Sequence, residues 1–314
     1  MRFLGAILGS VCLLSVPASV HAQAFVSEPN SLSADFSYTF APSDTIVTTT
    51  TGDDNPLADS QPNSPVNIHI FTLGGDYSTP LEGLAVESSI DLVGAQALDV
   101  GKGAFVHFPG PGVDDDGDLH FHITDFRGGL RYQIKAIEEY LGLAFSAAFS
   151  VPVTDYPKFG YTAPAHGLKS LYFGASVART FDPFLPRMFI GADYEFALRE
   201  RVDIDPETEK FGRNFSKLEG SLGYFLPWDL FVDAAVFYRT GHGGVTFTTV
   251  LFEPPVVLDN HDQLLDEDIL LLGGDLGWQI TEKISVVGGF RLFTWGKNTR
   301  DMNLFSANVS YDIF

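Results

Sequence analysis

The segment "RMFIGADYEFALR", Arg187–Arg199, carries an apolar side chain at every second position, beginning with Met188. The intervening positions are mixed and include Asp193 and Glu195. A helix would need its apolar residues at spacings of three and four, and from Met188 those spacings reach Glu195 and Arg199. The segment is therefore predicted to form a β-strand with one apolar and one polar face.

The same period of two recurs in further segments, which makes twelve in all along the chain. They lie at 31–41, 66–77, 84–93, 121–134, 140–151, 168–179, 187–199, 214–226, 229–240, 269–281, 284–295 and 302–314. Most are long enough for a tilted strand to cross a hydrocarbon layer of about 30 Å. Beyond the first residues, no apolar run reaches the roughly eighteen residues that a membrane-spanning helix needs. Strands are therefore predicted to cross a membrane.

The connections between these segments are alternately long and short until the last one. Bacterial barrels show this rhythm, with short periplasmic turns and long outer loops, whereas a soluble β-sandwich does not predict it. Aromatic residues near strand ends fit an interfacial girdle; they are Tyr77, Tyr140, Tyr224, Trp228, Trp278, Trp295 and Tyr311. The predicted fold is all-β, a transmembrane antiparallel up-and-down β-barrel of about twelve strands. It would have fourteen if 241–268 added a strand pair.

The first residues have the features of an export signal. They combine Arg2 with an apolar stretch and with small residues at Ala22 and Ala24. Residues 1–22 are therefore predicted to be a secretory signal peptide, cleaved after Ala22 or Ala24, and 23–314 to be the barrel. Export of a chain that crosses a membrane with strands predicts the outer membrane of a Gram-negative bacterium.

Charge and cysteine content exclude several classes of function. The sequence has 40 acidic and 19 basic residues and a formal net charge of −21. Such a surface repels phosphate backbones, so nucleic acid is not an expected partner. The one cysteine, Cys12, lies within the predicted signal peptide, which removes disulfides, thiolate catalysis and thiolate metal sites from the mature protein.

Three stretches, "GGDYSTPLEGLAVESSIDL" (74–92), "ITDFRGGLRYQI" (123–134) and "LGLAFSAAFSVPVTDY" (141–156), follow one another as strands with turns between them. In this order they resemble the outer-membrane transporters of the phenol meta-pathway degradation family. The resemblance implies a barrel that lets aromatic or other hydrophobic compounds pass. The final residue, Phe314, resembles the terminal signal recognised by the barrel-insertion machinery. That machinery and outer-membrane lipids are therefore expected partners.

The polar face of the predicted strands supplies the candidate lumen-lining residues. They are Asp35, Glu87, Asp91, Asp125, Arg127, Arg131, Asp193, Glu195, Arg199, Asp233, Arg239 and Arg291, with Lys217, Glu219, Asp275, Ser33, Ser37 and Ser89 beside them. Both signs of charge occur, unlike the lining of a pore that selects one sign of ion. This lining suits a narrow conduit that orients a small solute, and it suits equally an ion-pair network that fills a small barrel. His69 is expected to point inward beside Asn67.

The long loops at 42–65, 94–120 and 241–268 are acidic and contain a single base, Lys102. A solvated acidic surface is the simplest interpretation of such loops. The stretch "GVTFTTVLFEPPVVL" (244–258) is too apolar for that role. It is predicted to fold over the barrel mouth as a lid.

One acidic segment, "VDDDGDLHFH" (113–122), suggests a cation site. With Gly117 in the sixth place of a calcium loop, the twelfth place would be Ile123, so the calcium motif fails. His120 and His122 would share a face and could hold a transition metal with a nearby aspartate. A solvated loop is favoured over either site, and no bound metal or cofactor is expected.

A passive channel for small, hydrophobic or aromatic solutes is the function that these patterns favour. The alternative is a structural or adhesive surface protein that uses its acidic loops. An outer-membrane hydrolase is less favoured, because it needs a serine beside a histidine and no strand offers that pair two positions apart. No enzymatic activity and no catalytic residue are therefore expected.

Overall fold

A computed structural model describes residues 26–44, 46–47, 65–98, 117–137, 141–157, 163–181, 184–201, 212–244 and 266–314. Its strands are β1 (Leu32–Ser43), β2 (Ile46–Val47), β3 (Val66–Ser78), β4 (Leu84–Ala97), β5 (His120–Gln133), β6 (Gly142–Pro152), β7 (Ser170–Thr180), β8 (Met188–Arg199), β9 (Asn214–Phe225), β10 (Leu230–His242), β11 (Asp268–Gln279), β12 (Ile284–Lys297), β13 (Thr299–Arg300) and β14 (Leu304–Asp312). A short 3-10 helix, Lys135–Ile137, follows β5.

The twelve long strands close into one antiparallel barrel, in which each pairs with the long strands before and after it. β1 and β14 join the two ends of the sheet, from Ser33 opposite Asp312 to Phe40 opposite Phe305. Closure leaves no strand edge unpaired, which a hydrocarbon layer requires because it offers the backbone no hydrogen bonds. The predicted twelve-strand fold is confirmed. The barrel closes without a further pair from 241–268, and the short β2–β13 pair lies apart from it.

Alternation along each strand separates an apolar exterior from a mixed interior. In β8, Ile190, Tyr194 and Leu198 are exposed, whereas Asp193 and Arg199 are buried. Exposed apolar residues on other strands include Phe36, Leu73, Val86, Leu130, Phe145, Phe173, Leu222, Val236, Leu272, Leu292 and Val309. Lipid tails are the surroundings that such an extended apolar outer surface suits.

The first residue of β1 and the last residue of β14 lie at one end of the barrel, where the connections are short. These connections are 79–83, 134–141, 181–187, 226–229 and 280–283. We call this the short-loop end and the opposite one the long-loop end. Exposed aromatic residues at the short-loop end are Tyr224, Trp228, Trp278 and Tyr311. Aromatic residues in this position are typical of a membrane interface.

The interior is not polar throughout. Towards the long-loop end, inward apolar side chains from several strands pack into one buried cluster, which we call the interior apolar cluster. Its members are Ala41, Ile70, Val93, Phe237, Ile269, Leu271, Met302 and Leu304. Phe237 lies two residues before Arg239 on the inward face of β10. Apolar and charged parts of the interior therefore adjoin.

The prediction that His69 points inward is wrong. Its Nδ1 lies 2.9 Å from the hydroxyl oxygen of Tyr38, and its ring packs beside that of Phe40, on the outer face. The inward parity of β3 is taken by Ile70, which joins the interior apolar cluster, and by Asp76, which reaches an arginine. These two contacts decide which face of β3 turns inward.

Several predictions concern residues outside those that the structure describes. The predicted signal peptide lies within 1–25, and the predicted lid lies almost wholly within 245–265. Most of the other acidic loop residues, at 48–64 and 99–116, are also outside the described part. Within the part that is described, no helix is long and apolar enough to cross a membrane.

Candidate functional site

Most candidate lumen residues are buried on the inward face of the barrel. Those that are buried are Asp35, Glu87, Asp91, Asp125, Arg127, Arg131, Asp193, Arg199, Asp233, Arg239 and Arg291, and Glu195 is partly buried. Charges taken out of water need partners, because their desolvation is costly. The pairs that they form divide the interior into distinct charged clusters.

One cluster lies near the short-loop end and centres on Arg131 of β5. Its Nη2 donates to Asp76 of β3 at 2.7 Å, and its Nε lies 3.0 Å from a carboxylate oxygen of Glu87 on β4. One guanidinium is thus shared by two carboxylates. All three side chains are almost fully buried, so removing one of them would leave a buried charge without its partner.

A second cluster lies at mid-height and centres on Arg291 of β12. Its two terminal nitrogens each donate at 2.9 Å to an oxygen of Asp275, a bidentate pair. Its Nη2 also lies 3.4 Å from Glu219 of β9, which is separated from β12 by two strands, so this contact crosses the interior. Gly289 makes room for the pair, because a side chain there would collide with the Asp275 carboxylate.

A third contact spans the interior between β5 and β8, two strands that are not neighbours in the sheet. Arg127 Nη2 donates to Glu195 at 2.5 Å. The guanidinium carbon of Arg127 also lies 4.3 Å from the ring centre of Tyr172, a cation–π distance. Tyr172 in turn lies edge-on to Phe215, with ring centres 6.3 Å apart.

The fourth group lies at the long-loop end, and we call it the long-loop arginine cluster: Arg199, Arg213, Arg239 and Glu267. Arg199 ends β8, Arg213 precedes β9, and Glu267 precedes β11. Glu267 accepts from Arg213 Nη2 at 2.7 Å and also from Arg239. The guanidinium carbon of Arg199 lies 4.6 Å from the ring centre of Phe215. Here one carboxylate is shared by two arginines, the reverse of the clusters around Arg131 and Arg291.

The ionisation of the two groups outside the strands follows from this arrangement. Burial lowers the pKa of Arg213 to about 10, and the carboxylate of Glu267 opposes that shift only in part. Burial alone would raise the pKa of Glu267, but Arg239 and Arg213 outweigh it and hold that pKa below its ordinary value. The cluster is therefore short of negative charge.

Part of the connection between β6 and β7 also enters the interior. Tyr156 is buried, and its hydroxyl donates to Asp125 at 2.7 Å. The backbone N–H of Gly167 donates to the Tyr156 hydroxyl at 3.1 Å, and Leu168 is buried close by in sequence. The described part of this loop is thus held against the wall at the long-loop end.

Three further candidate carboxylates accept hydrogen bonds from hydroxyl or backbone N–H groups. Asp91 accepts from Thr72 at 2.8 Å, and Asp35 accepts from Ser310 at 2.5 Å. Asp233 accepts from the backbone N–H of Asp275 at 3.1 Å. Within the part of the chain that the structure describes, none of these three carboxylates forms a salt bridge with a basic side chain.

Sequence reasoning missed several members of these clusters. Arg213, Glu267 and Tyr156 lie outside the period-two segments, so alternation gives no information about them. Asp76 lies inside a predicted strand. Because it is seven positions from His69, the prediction that His69 points inward places Asp76 on the outer face. The partners in these ion pairs lie on different strands. No pattern among neighbouring residues therefore indicates which arginine meets which acid.

A hydroxyl–imidazole pair lies on the outer surface. Ser216 Oγ of β9 is 2.6 Å from His242 Nε2 of β10 and 2.9 Å from the hydroxyl of Tyr194 on β8. A spacing of two positions detects only a serine and a histidine on the same strand, whereas this pair is formed between neighbouring strands. No carboxylate among the described residues hydrogen-bonds the other ring nitrogen of His242. The pair therefore lacks the orienting acid that serine hydrolases use.

The described residues contain no group of three or more His, Cys, Asp or Glu side chains that could hold a metal ion. His120 is the first residue of β5 and His122 is the third, but Asp116 lies outside the described part of the chain. The weak metal site suggested for this segment stays a hypothesis.

No family model matches the sequence, and no curated protein matches it. Solved structures match its fold. An outer-membrane channel from Pseudomonas putida F1 has a TM-score of 0.68 and 8% identity, over 92% of this chain and 97% of that one. The β domain of the Bordetella autotransporter BrkA has a TM-score of 0.51 and 10% identity, over 90% of this chain and 100% of that one. At such identities the likeness concerns the outer-membrane barrel fold.

Proposed function

We propose that the chain is a channel in the outer membrane of a Gram-negative bacterium and that it passively admits small hydrophobic or aromatic solutes. The observation that carries this proposal is the unfilled hydrogen-bonding capacity of the interior. A barrel whose interior merely packs would pair its buried polar atoms with protein groups. The hydroxyls of Ser89 and Ser221 and the side-chain nitrogens of Arg199 have no such partner. Hydrogen-bonding groups of this kind suit a passage for water and solute.

The class of solute follows from the walls. The interior apolar cluster supplies apolar side chains to the interior, and Tyr172 and Phe215 form a separate aromatic cluster there. The contact between Arg127 and Glu195 crosses the interior and limits the size of what can pass. The fold shared with a Pseudomonas putida outer-membrane channel supports a channel, and the resemblance to the phenol meta-pathway degradation family implies aromatic compounds as cargo.

Conductance and solute flux test the proposal directly. The refolded protein should give single-channel currents in planar bilayers, and liposomes that carry it should swell faster in phenyl glucoside than in maltose. Ser221→Trp would place a large side chain in the lumen and should lower the current. Leu222→Trp adds the same side chain to the lipid face of the same strand and should leave the current unchanged.

Absence of current and of solute flux would contradict the channel proposal. If the wild-type barrel is folded, as its heat-dependent gel mobility would show, yet carries neither ions nor solutes, the structural or adhesive alternative is favoured. Equal currents from Ser221→Trp and Leu222→Trp would place the conducting path outside the lumen.

The outer Ser216–His242 pair is the observation that favours a hydrolase as second candidate. We expect no ester hydrolysis in phospholipid–detergent micelles, because His242 lacks an orienting carboxylate. Turnover that is abolished by Ser216→Ala would establish the hydrolase instead. Ser306→Ala, a change of the same kind at another partly buried strand serine, serves as the control.

The proposed partners follow from the outer surface and the C-terminus. Outer-membrane lipids would cover the exposed apolar residues, and the insertion machinery would recognise the last strand. Ile313 donates to the Leu32 carbonyl at 2.8 Å, and Leu32 donates to the carbonyl of the exposed Phe314 at 2.9 Å. The strand that would carry the signal therefore also closes the barrel.

A further inference from the structure

The charge balance changes along the barrel. Around Arg131 and around Arg291, each guanidinium is shared by two carboxylates. In the long-loop arginine cluster, the described residues comprise three arginines and one acid: Glu267 pairs with Arg213 and Arg239, and Arg199 acts on it electrostatically without a salt bridge. This excess of positive charge occurs in a chain whose formal net charge is −21. Among the residues that the structure describes, this cluster therefore has more positive than negative groups, within an acidic protein.

Arg199 is the least satisfied member of the cluster. Its side chain is only 7% exposed, and none of its Nε, Nη1 and Nη2 atoms has a hydrogen-bond partner. Its guanidinium carbon lies 4.6 Å from the ring centre of Phe215. An isolated buried cation is costly, and native proteins pair such groups. The geometry thus presents an unfilled set of donors rather than a structural ion pair.

Glu267 is engaged with the other two arginines of the cluster. Its Oε2 already accepts from Arg213 and from Arg239. Arg213 keeps its own Nε and Nη1 without a partner, even though it is fully buried. The lowered pKa of Arg213, caused first by burial, agrees with this shortage of negative charge. A second anion would relieve both arginines.

The surroundings indicate what kind of anion fits. A guanidinium presents a planar fork of donors that matches a carboxylate in a bidentate pair. Phe215 lies under Arg199, and Phe237 of the interior apolar cluster lies two residues before Arg239 on the same face. A ligand held by the arginines would therefore place its remaining part against apolar and aromatic side chains.

We propose that Arg199 and Arg213 form a binding site, at the long-loop mouth, for the carboxylate of a small apolar acid. Arg239 completes the cationic wall, and Phe215 and Phe237 bound the space for the apolar part. The proposal deepens the channel function on which it rests, since it names the solute class that the mouth captures before passage.

Benzoate and benzamide make a matched pair of probes, because they share a ring and differ in charge. Isothermal titration with the refolded full-length mature barrel in detergent should show benzoate binding and no comparable binding of benzamide. Arg199→Gln should weaken benzoate binding at least about tenfold, as expected for loss of a charge-assisted pair. Arg179→Gln, at an exposed arginine near the short-loop end of β7, should leave the affinity unchanged.

Heat-dependent gel mobility shows whether each variant is folded. If Arg199→Gln does not fold, Arg199→Lys provides the test, because it keeps the charge but loses the planar fork and should bind benzoate more weakly than wild type. Equal affinity for benzoate and benzamide, or full benzoate affinity in the folded Arg199 variant, would overturn the site. Titration does not require conduction, so currents carried by a barrel that does not bind benzoate would leave the channel standing while removing the site.

Discussion

Glu267 holds two buried arginines, and its replacement tests how strongly the long-loop end depends on one carboxylate. In Glu267→Gln, Arg213 and Arg239 would lose their shared charge partner while staying buried. The free energy of unfolding should fall by about 3–5 kcal/mol, the usual cost of breaking a buried pair. Urea titration followed by tryptophan fluorescence in lipid vesicles measures it.

Glu200→Gln is the matched control. Its partner Lys169 has a side chain that is 67% exposed, so solvent screens the pair. The change in the free energy of unfolding should stay within about 1 kcal/mol. Similar losses in both variants would contradict the special role of Glu267.

The difference in the free energy of unfolding between wild type and Glu267→Gln should depend on pH in a definite direction. The two arginines hold the pKa of Glu267 below its ordinary value of 4.5, so its stabilising contribution is fully present above about pH 4.5. As the pH falls below that value, the proton returns and the advantage of wild type over Glu267→Gln should shrink. Urea titrations at successive pH values check this, and a gap that widens on acidification would contradict it.

At the level of elements, the connection between β6 and β7 is tied to the wall through Tyr156. Tyr156→Phe removes the hydroxyl that Asp125 accepts from. Loss of about 1 kcal/mol would raise the population of released loop about fivefold, and single-channel records should show more frequent open–closed transitions. Tyr132→Phe, the same change at an exposed outer residue, should not alter them. Identical records from both variants would argue against the loop as a constriction.

The elements themselves were predictable because alternation is a local property. All twelve long strands coincide with predicted segments, with ends that differ by a few residues. β3 shows the limit of this reasoning. Val66, Ile68 and Ile70 form an apolar row on the face opposite His69, which is predicted to point inward beside Asn67. The structure turns that row inward instead, because the interior has an apolar cluster to receive Ile70.

For the whole molecule, the exposed apolar surface predicts how the barrel responds to charge on its outside. Leu272 lies near the middle of β11 and is exposed. Leu272→Arg should lower the free energy of unfolding in lipid vesicles by about 2–4 kcal/mol if that surface faces hydrocarbon. Leu81→Arg, in a short turn outside the strands, should change it by roughly 0–1 kcal/mol. Equal small effects would show that the outer face is not in the bilayer.

The sequence by itself determined the class of fold, the number of barrel strands and the segregation of most charges to the interior. These depend on side-chain period and connection length, which are properties of consecutive residues. Only the tertiary structure decided which arginine meets which carboxylate. Arg291 and Glu219, like Arg127 and Glu195, come together because closure brings distant strands face to face across the lumen. The gathering of arginines around Glu267 arises in the same way, since residues at the ends of separate strands become neighbours only when the barrel is closed.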